Sequence, residues 1–231
     1  DILPHFDLPN SSALIVFGAF AVAKIFGYLY RIIIARHFGP EVYGLYTLSI
    51  IIASWLVVLS SFGFSEGILR YISFYRGKKE TQKIRYIFRF SSRILLFSTI
   101  TVSLIVFLFS KFIATTIFHN PDLIIFIRFF SLVSPFWAFS TYFLSVMRAF
   151  EKIKEVSVLE NVIQTIIKVI SLLFFIFIGI GTSSIILSFF LGTLFTLLLA
   201  FLYSRYKLHT IFLRYSLKNN EKKEIINNFI S

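Results

Sequence analysis

Six stretches of this chain, near residues 12–36, 42–65, 94–118, 122–148, 156–179 and 183–204, stay predominantly apolar for twenty residues or more. A bilayer's hydrocarbon core is about 30 Å thick and takes roughly 20 apolar residues in a helix to cross. A soluble domain of 231 residues could not cover six such runs. The composition agrees, with 57% of residues hydrophobic, 15% charged and a mean hydropathy of +0.84, against roughly 25% charged in soluble domains. No alternation of apolar and polar residues suggests the strands of a β-barrel. The sequence predicts an all-α, polytopic membrane protein with six transmembrane helices.

The punctuation between the runs is helix chemistry. In Gly39-Pro40-Glu41, the glycine suits a left-handed cap, the proline a first helical position and the acid the positive end of a helix. Asn120-Pro121-Asp122 repeats the device. Gly179, Gly181 and Thr182-Ser183-Ser184 close the fifth run and cap the sixth. Pro135, inside the fourth run, removes one backbone hydrogen bond and predicts a kink. The first run has neither a basic segment before it nor a small-residue cleavage site, which argues against a signal peptide. The chain has no cysteine, so neither disulfides nor Cys-based metal sites enter.

Lysines and arginines alternate from one connection to the next. Residues 70–93 carry Arg70, Arg76, Lys78, Lys79, Lys83, Arg85, Arg89 and Arg93. The 148–155 turn carries Arg148, Lys152 and Lys154, and the segment from 205 carries Arg205, Lys207, Arg214, Lys218, Lys222 and Lys223. The turns at 37–42, 119–121 and 180–183 carry none. By the positive-inside rule both termini are expected to be cytoplasmic; the expected location is the plasma membrane. Clustering on one membrane face also accounts for most of the +12 net charge, so nucleic acid is not an expected partner. The layout divides into a cytoplasmic segment 1–11, a six-helix lobe 12–205 and a cytoplasmic amphipathic linker 206–231. In that linker Leu208, Ile211, Phe212 and Tyr215 share a helical face suited to the membrane surface, and apolar residues resume at Ile225.

Six basic residues fall outside those clusters: Lys24, Arg31, Arg36, Lys111, Arg128 and Lys168. A charge at mid-bilayer costs about 2.5–3.5 kcal/mol on insertion scales, so such residues face a bundle interior or a wet cavity. Arg36 and Lys111 lie near helix ends and can snorkel to headgroups. Lys24, Tyr28 and Arg31 share one face of the first helix, and Glu160, Gln164 and Lys168 one stripe of the fifth. With Arg128 they are the expected lining of a common lumen. Its excess of positive charge points to an anionic, phosphate-bearing cargo. A structural alternative is an ion pair between Glu160 and a lumen lysine.

The stretch Arg31-Ile-Ile-Ile-Ala-Arg36-His-Phe-Gly39-Pro40-Glu41-Val-Tyr43-Gly44-Leu-Tyr46 is similar to the first-helix signature of polysaccharide-biosynthesis flippases. These form the O-antigen-type branch of the multidrug/oligosaccharidyl-lipid/polysaccharide superfamily, which has a MATE-like fold. Phe62-Gly63-Phe-Ser-Glu66-Gly67-Ile-Leu-Arg70-Tyr71-Ile-Ser-Phe-Tyr75 and Met147-Arg148-Ala149-Phe150 resemble the same family. The resemblance implies two six-helix lobes around a central cavity. It also implies alternating access and a lipid-pyrophosphate-linked oligosaccharide as cargo, with Arg31 at a cavity arginine position and no cofactor. Family members have roughly twice as many spans. The second lobe is then expected in the same chain if this is a fragment, which the non-Met start and the apolar restart favour, or otherwise in a second copy or a partner chain.

Two rival functions follow from the residues. A drug/cation antiporter of the same fold would use an acid in the first helix, yet no acid lies between Ser11 and Arg36, and Glu160 is the one good coupling candidate. A membrane enzyme acting on lipid-linked sugars would need clustered acids or histidines. His37, Glu41, His119 and Asp122 fall near one face but are scattered over separate turns, with no metal-binding spacing.

Overall fold

The computed structural model describes residues 10–61 and 64–213. Among them every regular element is helical. In chain order these are α1 (Asn10–Phe38), α2 (Pro40–Ser61), α3 (Phe64–Gly77), α4 (Thr81–Ile117), α5 (Leu123–Ala149), α6 (Ile153–Ile178) and α7 (Ser183–Lys207). A π-turn ends α4 at Ile113–Ile117, another lies in α6 at Val158–Ile163, and a 3₁₀ turn, His209–Phe212, follows α7. All but α3 are long and apolar enough to cross a membrane. The chain is therefore a multi-pass membrane protein with six spanning helices.

Two differences from the sequence reading stand out. The basic stretch 70–93, expected as a connection, is mostly helix: it holds the second half of α3 and the start of α4, which begins at Thr81 rather than near 94. The reason is amphipathicity. Ile68, Ile72 and Tyr75 recur at helical spacing and are buried, and Ile84, Ile87, Phe88, Ser91 and Leu95 continue the pattern. At 37 residues, α4 extends for roughly 55 Å, well beyond a hydrocarbon core, so its basic first turns project past the apolar zone. The second difference concerns Leu208, Ile211 and Phe212. They do not begin a helix lying on a surface. The 3₁₀ turn tucks Leu208 and Ile211 into the core, Phe212 meets Phe88 edge to face, and the Arg89 guanidinium donates to the carbonyls of Phe212 (3.0 Å) and Leu213 (3.1 Å). Tyr215 and the apolar residues from Ile225 lie outside the described residues.

The turn glycines behave as their sequence context predicts. Gly39 has φ +89° and lets the chain reverse directly into Pro40. Gly179, at φ +82°, closes a Schellman motif: its N–H donates to Ile176 O, and that of Ile180 to Phe175 O. Thr182 precedes α7 as expected, but its hydroxyl makes no cap hydrogen bond.

Two apolar cores are stacked along the bundle. One unites α3, the first half of α4, the last turns of α5, the start of α6 and the end of α7 with the 3₁₀ turn. The other unites α1, α2, the start of α5, the last part of α6 and the start of α7. Trp137 of α5 packs against both. Hydroxyl groups join the helices between them. Ser98 of α4 donates to Ser60 O (2.6 Å), one of the carbonyls the end of α2 leaves unpaired. Tyr142, fully buried, donates to Phe88 O (2.7 Å).

The expected weak point of α5 is resolved the same way. The helix runs through Pro135 without interruption. Proline has no N–H to offer the carbonyl four residues earlier, that of Ser131. Ser103 of α4 (2.5 Å) and Ser134 (2.8 Å) donate to it instead. We expect Ser103→Ala to destabilise the bundle by about 0.6 kcal/mol, and at most about 1.7, as read by unfolding in detergent. In a Pro135→Ala background the backbone N–H returns, and the Ser103→Ala penalty should shrink toward zero. An equal penalty in both backgrounds would show that Ser103 does not compensate for the proline.

Candidate functional site

Helix α1 has two unlike faces. Tyr30 and Ile34 are buried, and the Tyr30 hydroxyl reaches α7, bonding Ser188 Oγ at 2.9 Å and donating to Ile185 O at 3.2 Å. This fixes the direction of the other face, where Lys24, Tyr28 and Arg31 are exposed. These three side chains, with Phe20, Ala23, Gly27 and Asn161, line a pocket of about 290 Å³. No acid lines it, and neither cation has an ion-pair partner among the described residues. The first-helix stripe expected from spacing is therefore present and faces one space.

The α6 stripe is not assembled as expected. Asn161, not Glu160, Gln164 or Lys168, reaches the α1 pocket. The π-turn over Val158–Ile163 is the cause. It closes i→i+5 bonds, which adds one residue to a turn and rotates the register by roughly 100° relative to an unbroken α-helix. Counting in fours across it misassigns the face. Glu160 forms an ion pair with Arg148 at the end of α5, both half-exposed, rather than with a lumen lysine. Gln164 is half-buried and turns its backbone toward α7.

Lys168 lies between α6 and α7. Its Nζ sits 4.2 Å from the centroid of the Phe189 ring, a cation–π seat that requires no acid. The side chain crosses Gly192 of α7 so closely that a Cβ there would stand 2.5 Å from Lys168 Cγ and 3.1 Å from Gln164 O. Only glycine admits this crossing.

Arg128 also lies apart from the α1 pocket. Its Nε donates to Ser110 Oγ at 3.0 Å, its guanidinium faces Phe107 at 5.7 Å, and it lines a separate cleft of about 530 Å³ with Glu41, Asp122 and Thr182. Arg36 is exposed in the last turn of α1, where a cation complements the helix dipole. Gly44 stands in open space on α2, and Arg70 is exposed on α3 with its guanidinium 5.9 Å from the Tyr71 ring. His37 meets Phe38 edge to face. Among the described residues no three His, Asp or Glu side chains converge as metal ligands.

The Lys168 seat yields a test. Gly192→Ala should destabilise the α6–α7 pair by about 1–3 kcal/mol, the usual cost of overpacking. Lys168→Ala should recover part of that loss in the double variant, because it removes the atom in closest conflict. A full and unrelieved loss in the double variant would place the conflict on the Gln164 backbone instead.

No curated protein matches the chain in sequence. A solved structure described as protein A superposes with a TM-score of 0.71 at 16% identity, over 99% of this chain and 53% of its own. That likeness concerns the fold, and this chain spans about half of that protein's length. Residues 11–231 match the family of polysaccharide biosynthesis proteins. The chain therefore belongs to that family, the O-antigen and polysaccharide flippases of the multidrug/oligosaccharidyl-lipid/polysaccharide superfamily, whose role is membrane transport.

Proposed function

We propose that this chain translocates a lipid-linked oligosaccharide by alternating access, with the pyrophosphate headgroup held at Lys24 and Arg31. The observation that carries the proposal is the α1 pocket itself. Two cations from one helix share a small space with a phenol and a carboxamide, and no acid lines it. A pyrophosphate would receive charge-assisted hydrogen bonds from both cations, with Tyr28 and Asn161 as neutral donors at its edge. The exposed face of α1 suits a wall of a cavity closed by a second six-helix lobe, from the same chain, a second copy or a partner. Arg128 and Lys168, held by Ser110 and by the Phe189 ring, are then not headgroup ligands. In this reading the strongly basic end of the bundle faces the cytoplasm of a cell whose plasma membrane holds the protein. Exchange of organic cations is disfavoured, because the candidate acid, Glu160, is engaged by Arg148.

The test is flipping of a fluorescent lipid-linked oligosaccharide by the full protein in proteoliposomes. Each charged hydrogen bond is worth about 1.5–3 kcal/mol, so Arg31→Ala or Lys24→Ala should each slow flipping by roughly 10- to 100-fold. Lys111→Ala, which removes a cation outside the pocket, should leave the rate unchanged. Wild-type flipping by the Arg31→Ala/Lys24→Ala double variant would overturn the proposal.

A further inference from the structure

A further cavity lies at the strongly basic end of the bundle, lined by other residues than the α1 pocket and the Arg128 cleft. It is a groove of about 630 Å³ between the first turns of α6 and the last turns of α7, closed on one side by Ile15 of α1. We propose that it binds an anionic phospholipid, one acyl chain in the groove and the phosphate against Lys154 and Lys207.

The lining is graded along the helix axes. Lys154 and Lys207 stand at the outer ends of α6 and α7. Leu159 and Leu202 lie deeper, and Ile163 and Leu199 deeper still. Eight or nine residues separate the ends of this gradient, which at 1.5 Å per residue is roughly 12–13 Å. Charge at the mouth and hydrocarbon below is the profile of an amphiphile lying along the membrane normal. A soluble anion would gain nothing from the floor, and a neutral lipid nothing from the rim. The one acid of the rim, Glu155, accepts a hydrogen bond from the Tyr203 hydroxyl at 2.9 Å. Neither lysine has an ion-pair partner among the described residues. Tyr206, largely exposed at the same level, is the kind of residue that settles at the headgroup boundary.

The groove shares no lining residue with the cargo pocket, so its test uses resident lipids. The full chain is exchanged into mixed phosphatidylglycerol and phosphatidylcholine of equal chain length, and retained lipid is counted by native mass spectrometry. We expect phosphatidylglycerol to be retained in preference, by roughly thirtyfold given two lysines near its net negative headgroup. Lys154→Ala/Lys207→Ala should abolish the preference. Lys78→Ala/Arg93→Ala, which removes two exposed cations elsewhere, should keep it. Leu202→Trp, at a half-exposed position that tolerates bulk, should fill the groove and lower retention of both lipids. Glycerol 3-phosphate, a headgroup without a chain, should displace nothing. Equal retention of the two lipids by the wild-type chain, or equal loss in the Lys78/Arg93 variant, would overturn the proposal. Retention that appears only after residues 1–9 are deleted would assign the groove to the chain's own N-terminal segment. Displacement by a polyprenyl phosphate at a tenth of the phospholipid concentration would assign it to cargo. Either outcome also overturns the proposal.

Discussion

Within a bilayer, a backbone carbonyl without a donor has no water to turn to. The helices of this protein are arranged around that constraint. Outside tyrosine, every fully buried polar side chain among the described residues is serine or threonine. Their hydroxyls are short enough to bond a carbonyl of their own helix, or one of the next helix, without holding the two apart. Ser98 serves the end of α2, and Ser103 serves the carbonyl that Pro135 leaves open. The proline is thus tolerated because α4 passes with a serine at the right height. Packing and backbone satisfaction are the same contact.

Cations face a harder form of the same problem, and the structure holds them in distinct ways. Arg148 has an acid, Glu160. Lys168 has the face of Phe189, reached across a glycine. Arg128 has a serine oxygen and an aromatic ring at the edge of a cleft. Lys24 and Arg31 are left open to a pocket. A cation already engaged loses part of its hold when it turns to a ligand, whereas an open one exchanges only water. That contrast, more than the number of positive charges, distinguishes a binding wall from structural charge.

Hydropathy is a sum over a window, so the spanning helices were legible in the sequence to within a few residues of their ends, except for the polar start of α4, which lies at Thr81 rather than near 94. Gly39 and Gly179 were legible because a reversal after a helix needs positive φ there. What a window sum averages away was lost. α3 is half polar, and only the recurrence of Ile68, Ile72 and Tyr75 marks it as a helix with a buried face. The α1 stripe of Lys24, Tyr28 and Arg31 was legible because α1 is an unbroken α-helix over that range. The α6 stripe was not, because a π-turn leaves no residue signature and shifts every face after it. Asn161 could have been found only by placing that turn. Gly192 carries no distinguishing mark: Gly18, Gly27 and Gly44 are also lone glycines in apolar helices, yet a Cβ at any of them would meet nothing within 4 Å, so which glycine admits a crossing side chain depends on the neighbouring helix.

The distribution of burial along α1 bears on how a transport cycle could run. Between Leu14 and Leu29 only Ala19 is buried, whereas Tyr30 and Ile34 are sealed into the bundle, with Tyr30 bonded to α7. The first half of the helix therefore buries less of its surface in the bundle than the second. Lys24 and Tyr28 sit on that less buried half, and Arg31 sits one residue past the Tyr30 anchor. A movement of α1 against α6 pivoting near Tyr30 would open or narrow the pocket while leaving Arg31 almost in place. The same movement would carry Ile15 away from the groove between α6 and α7. A lipid seated there would resist the displacement, so occupancy of the groove and access to the pocket become two readings of one helix position.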